Sequence, residues 1–252
     1  MKQYYEEVSA IQNYEIGQSY KIDKRVFHYS EATVALVLTY RLAAMRAAYL
    51  ATNEMLTAVV NGAVGDKSLT LITTLFIGEG GVAGVVAENE LKDAYIEIFP
   101  ATGVNQFMWR KIIGNGPSIG ANTIVYLDRP LNVVAVIGSQ VGLHPQIYRS
   151  IAPMLSVTAD YRVAAGVPPV PVPLATPFHW LQTYGPCWIA ASVPGQPLAT
   201  ANYVDVYAYP DGCISSSLGV TIGTSISAQR VGHVLGAEAY GCNEIFLELD
   251  NS

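Results

Sequence analysis

The sequence predicts an all-β fold, mainly antiparallel, built as β-sandwich or barrel-like domains. Three observations carry that expectation. Short alternating apolar/polar runs recur about every ten residues, each closed by a Gly, Pro or Asn cluster, as strands joined by tight turns require. No strand–helix–strand alternation occurs, which disfavours a parallel α/β sheet. The aromatic segment PFHWLQTYGPCWIAAS, 177–192, alternates with period two. His179, Leu181 and Thr183 therefore share one strand face, and Trp180, Gln182 and Tyr184 share the other. Its Gly185-Pro186 pair reads as a turn that breaks the run.

The elements follow in chain order. Residues 1–13 form a polar arm. Residues 14–29, YEIGQSYKIDKRVFHY, suit a hairpin turning at Lys24, with Ile16, Tyr20, Ile22 and Val26 in phase. From 32 to 55 there is no Gly or Pro, and Leu38, Leu42, Met45 and Tyr49 follow helical spacing. A helix is expected there, with a strand over 34–40 as the competing reading. Strands follow at 68–77, 94–99, 106–113 and 122–127. Prolines 168, 169, 171, 173 and 177 then mark an extended edge segment laid on a neighbour. Further strands are expected at 178–192, 203–209, 218–226 and 244–249, with the last tied into a sheet. The expected organisation is an N-terminal arm with a hairpin and helix over 1–57, a first β domain over 58–162, and a connector over 163–177. A second β domain spans 178–252 and can share one sandwich with the first.

Composition narrows the function. Apolar residues supply 51% of the chain and charged residues 13%, about half the usual charged share. Membrane insertion is one cause of scarce charge. The best span, 32–50, is interrupted by Arg41 and Arg46, and its clean part is far shorter than the ~20 residues a bilayer requires. The opening MKQYYEE is polar and acidic, so no secretion signal is expected. Burial against other subunits is the better account of the composition. A net charge of −6 with no run of three basic residues argues against nucleic acid as a partner.

Chemistry is sparse. The glycines at 78, 80, 81 and 84, and at 114, 116 and 120, lack nucleotide-loop spacing and read as turn residues. His28, His144, His179 and His233 show no metal-ligand spacing. Cys187, Cys213 and Cys242 are expected as reduced, mostly buried thiols, a disulfide between two of them being the alternative. Cys187 with His179 is the sharpest enzymatic pairing on offer. Asp205 with Asp211, or Glu97 with Glu90, would serve as acid/base pairs, but strand edges and turns account for them equally well. Asp211-Gly212 is a hairpin-turn pair. No catalytic, metal or cofactor residue is assigned, no cofactor is expected, and the chain is not expected to be an enzyme.

Five blocks carry a resemblance: YEIGQSYKIDKRVFHYSEA (14–32), AYIEIFPATGVNQFMWRKIIGN (94–115), TIVYLDRPL (123–131), GVPPVPVP (166–173) and FHWLQTYGPCWI (178–189). They contain the patterns G-x-x-Y-x-x-x-x-R-V-F-x-Y, V-x-L-x-x-P-L and W-x-Q-T-x-G-P-C. The chain thereby resembles a group of virion structural proteins of tailed bacteriophages, mostly head decoration or cement proteins. Residues 33–60 depart from that group, being longer and more helix-like than its short Gly-containing link. The resemblance implies a capsid decoration protein on the exterior of the virion, assembled in the host cytoplasm. Its partners would be the major capsid protein and further copies of itself as a homotrimer or homodimer, with no nucleic acid or membrane. An N-terminal arm would be available to add a strand to a partner sheet. Alternatives are another virion component (a shell subunit, tail or host-adhesion protein) and a β-sandwich hydrolase. Exposed aromatics beside Asp or Asn would signal host-glycan binding, with the Trp180–Trp188 region the candidate and core packing its rival.

Overall fold

The computed structural model describes residues 4–45, 56–57, 62–72, 84–101, 107–120, 122–144, 146–154, 163–191, 205–209, 211–216, 229–237 and 242–249. Strands account for 53% of it and helix for 1%, in antiparallel sheets with no closed barrel. The all-β expectation therefore holds. In chain order the strands are β1 Val8–Ser9, β2 Ser19–Ile22, β3 Arg25–Glu31, β4 Ala43–Met45, β5 Leu56–Thr57 and β6 Ser68–Ile72. There follow β7 Tyr95–Phe99, β8 Met108–Asn115, β9 Asn122–Leu127, β10 Gln140–His144, β11 Ile151–Pro153 and β12 Ala164–Gly166. The last are β13 Phe178–Ala190, β14 Asp205–Ala208, β15 Ile214–Ser216, β16 Arg230–Ala237 and β17 Cys242–Glu248.

Contacts divide the chain into two compact units. One is discontinuous, Met1–Arg46 with Ile147–Ser252, and the other is the inserted stretch Ala47–Gln146. This division differs from the boundaries at 57, 162 and 177 that composition suggested. Pairing is the reason, because the N-terminal hairpin β2–β3 joins β13 in one sheet.

In the discontinuous unit, an eight-stranded sheet runs β15-β14-β16-β17-β13-β3-β2, with β1 paired to the start of β13. A three-stranded sheet, β11-β4-β12, contributes to the same core. Leu42, Ala44 and Ala164 from that layer pack with Cys187, Ile189, Val206, Ile245 and Leu247 of the large sheet. Small alanines in the thin layer let the two sheets approach. An aromatic cluster of Tyr5, Phe27, Tyr29 and Trp180 forms a separate core. Tyr5 stacks on Phe27 at 4.7 Å, and the Arg25 guanidinium lies 5.1 Å from the Tyr5 ring centre. The described part of the expected polar arm, residues 4–13, is thus folded onto its own sheet together with the hairpin that follows.

The expected helix over 32–55 is corrected where residues are described. Residues 32–45 form no helix. Thr33 N–H donates to the Ile151 carbonyl, Leu36 to Val172 and Leu42 to Gly212, at 2.7–2.9 Å. Each backbone donor finds a partner across a sheet rather than four residues back, and β-branched Thr33, Val34, Val37 and Thr39 favour that extended course. Residues 46–55 lie outside the described residues, as does the expected strand at 218–226. The proline-rich stretch is extended as expected: Val167 bridges to Gln182 and Val172 to Leu36.

A second correction concerns Gly185-Pro186. The chain does not turn there; β13 runs 13 residues through it. The register slips between Gln182 and Tyr184, and Gly185 adopts φ +93°. A Cβ at Gly185 would collide with the backbone carbonyl of Lys24, at the tip of the β2–β3 hairpin. Glycine is needed for close approach of two backbones, not for chain reversal.

The inserted unit holds one six-stranded sheet, β5-β10-β7-β8-β9-β6. Its inner face buries Leu69, Leu71, Ile96, Ile98, Ile112, Val125 and Leu127. Val86, Leu91, Leu131 and Ala135, from the segments before β7 and after β9, cover that face. Burial of each such Leu or Ile stabilises by about 1.5–3 kcal/mol.

Candidate functional site

Alternation puts a different chemistry on the outer face of the inserted sheet. Tyr95, Glu97 and Phe99 of β7 stand beside Trp109 and Lys111 of β8, in the register Tyr95↔Lys111 and Glu97↔Trp109. Phe107 stacks near Phe99, ring centres 6.3 Å apart. On the other side of β8, the ladder slips by one residue at Ile113, and Ile124 and Tyr126 of β9 continue the surface opposite Thr70 and Ser68. Tyr95, Phe107, Trp109, Ile113, Ile124 and Tyr126 are each between 42% and 59% exposed. Side chains flanked by cross-strand neighbours remain that open only when little among the described residues lies above the sheet.

The charges on this face are already engaged. The His144 ring lies 3.2 Å from the Glu97 carboxylate and 4.9 Å from the Trp109 ring centre. Lys111 reaches the buried Asp93 at 3.1 Å. Beneath the face, Arg110 is buried, donating to the Pro130 carbonyl at 2.6 and 2.9 Å and to Asn132 at 2.9 Å. Burial pushes the Asp128 carboxyl upward, but hydrogen bonds from the Lys111 amide and from Arg129 outweigh it and hold the pKa below the usual range.

In the discontinuous unit, Arg230 spans Asp205 at 2.8 Å and Glu248 at 2.5 Å. Those bonds hold its guanidinium pKa above the ordinary value. Glu248 also meets His233, at 3.2 Å, and the His233 ring stacks on Phe246. A shallow apolar recess elsewhere in this unit is lined by Val34, Leu36, Val37, Leu42, Met154 and Pro168, with Arg41 its charged member. Val34 and Val37 are open to solvent there, as is Leu174, two residues beyond the Leu36 partner Val172.

The residues singled out from the sequence go to separate places. His179 is fully buried: Nδ1 lies 2.9 Å from the Pro177 carbonyl and Nε2 3.1 Å from the Ser30 hydroxyl. Burial lowers its pKa to about 4. Cys187 is a free, buried thiol whose pKa burial raises to about 12. The two share one extended strand, and eight residues at ~3.3 Å each separate them by roughly 26 Å. The His179–Cys187 pairing is therefore corrected, since a base and nucleophile must lie within hydrogen-bond reach. His28 bonds Thr183 at 3.0 Å. Cys213 is also buried; the Cys242 side chain lies outside the described residues.

The acid pairs are likewise split. Asp205 holds Arg230, while Asp211 accepts the Cys213 amide at 2.9 Å in the β14–β15 turn, where Gly212 has φ +83°. Glu97 meets His144, while Glu90 accepts the Ala87 amide at 2.6 Å. Among the described residues, no group of three or more His, Cys, Asp or Glu is placed to hold a metal, and no helix is long and apolar enough to cross a membrane. Trp180 is core, within 5.1–5.8 Å of Tyr14, Tyr20 and Tyr29, whereas Trp188 is 47% exposed.

Sequence reading did not single out the apolar outer sheet face. Its signal was present: Trp109, Ile113, Ile124 and Tyr126 occupy the phase opposite to the core residues of the same strands. No family model, curated protein or solved structure matches the chain.

Proposed function

We propose that this chain is a capsid decoration protein of a tailed bacteriophage, a non-enzymatic virion component on the outside of the head. In this reading it stabilises the shell by bridging major capsid protein subunits and copies of itself. The observation that carries the reading is the presence of an open apolar surface on each unit of a chain with few charges. These are the outer sheet face of the inserted unit and the recess around Val34 and Val37. A bridging protein needs at least two surfaces that gain by desolvation, and apolar area exposed on this scale marks interaction sites. The described N-terminal residues already pair within their own sheet, so contact with the shell and with further copies is assigned to these faces rather than to a donated strand.

Immunogold electron microscopy with an antibody against the purified chain tests the reading. The specimens are particles released by cells that carry the gene. Gold on the heads is expected. Gold confined to tails, or particles without label, would overturn the assignment.

A further inference from the structure

We propose that the outer face of the inserted sheet is where two copies of this chain pack together, sheet face against sheet face. The inference deepens the decoration reading by naming one of its partners and the surface that meets it.

Area is the first argument. Six large side chains, each about half open and ~200 Å² in full, leave on the order of 600 Å² of apolar surface on one sheet face. That is at the upper end of the largest patch on a typical monomer, about 300–600 Å². It supplies most of the ~800 Å² per partner that a stable complex buries.

Charge is the second argument. The chain carries a net charge of −6, so two copies repel in general. The side chains that alternation places on this face include one carboxylate, Glu97, and one ammonium, Lys111, with His144 bonded to Glu97. The face is close to neutral, and Lys111 already meets Asp93. Covering it leaves no charge without a partner, which avoids the larger penalty of burying an unpaired ion. A surface that is near-neutral and apolar can meet a copy of itself, as a two-fold isologous contact demands.

Sedimentation velocity across a dilution series of the full-length chain tests the inference. The wild-type chain is expected as dimers or multiples of dimers. Trp109→Lys and Ile124→Lys, each made separately, are expected to raise the dissociation constant at least about thirtyfold, the effect of a hot-spot residue. Lysine at 109 stands opposite Glu97 and at 124 opposite Thr70, so neither change puts two lysines directly across a strand pair. Unchanged circular dichroism and a cooperative unfolding transition establish that the variants are folded. Trp188→Lys, on the discontinuous unit and equally exposed, is expected to leave association intact.

A wild-type chain that stays monomeric at micromolar concentration overturns the inference, as does association that survives both lysine substitutions. Monomers that still decorate heads would overturn this dimer face and leave the decoration reading standing. Dimers that never appear on particles would do the reverse.

Discussion

His179 makes the chain's stability sensitive to acid. With its proton on Nδ1 the neutral ring donates to the Pro177 carbonyl and leaves Nε2 to accept from Ser30. Neither partner carries negative charge, so burial depresses the pKa to about 4 from about 6.5 in the unfolded chain. The unfolded state binds the extra proton between those values. The stabilising contribution is complete above pH 6.5 and is lost as pH falls toward 4, about 3 kcal/mol in all. Urea unfolding at pH 7 and pH 4.5 is expected to register that loss, and His179→Gln to flatten it. The two arginines form a contrasting pair. Arg110→Ala strands the buried Pro130 carbonyl and is expected to cost about 2–4 kcal/mol. Arg230→Ala removes exposed ion pairs and is expected to cost under about 1 kcal/mol. Residue types alone do not separate these cases. Arg110 sits in an alternating run that puts it on the core side, and only the carbonyls that fold back toward it reveal why it is tolerated there.

Among the elements, periodicity was a good guide where strands are regular and a poor one where pairing is long-range. β9 matches its expected span, and β7, β8 and β17 fall within one or two residues of theirs, because alternation and turn residues bound them locally. The expected helix failed because Leu38 and Leu42 happen to fall four apart in a stretch whose donors are satisfied by Ile151, Val172 and Gly212. Those partners lie more than a hundred residues away, and no local pattern encodes them. The strands β10 and β16 carry glycines and little alternation, and both were missed. Gly185 misled for a related reason: a glycine that admits the Lys24 carbonyl looks in sequence like a glycine that turns the chain. Gly185→Ala is expected to destabilise by about 2–4 kcal/mol, measured by thermal and urea unfolding. A cost within a few tenths of a kcal/mol would indicate that the hairpin tip does not press against β13.

At the scale of the whole molecule, scarce charge and open apolar faces are one property seen twice. Composition disclosed the first half, since only 13% of residues are charged, and from it came the expectation of surfaces for other chains. Which surface was hidden, because an alternating strand with apolar residues in both phases does not declare which phase faces the core. The fold resolves that ambiguity. Ile96, Ile98, Ile112, Val125 and Leu127 are inside, while Tyr95, Trp109, Ile124 and Tyr126 are outside. The most direct measurement of the central claim is hydroxyl-radical footprinting of the intact chain across a dilution series. Tyr95, Trp109 and Tyr126 are expected to be protected when concentrated and to become reactive on dilution, while Trp188 is equally reactive throughout. Equal reactivity of all four at every concentration would contradict the account, because the face would then be open to water in solution.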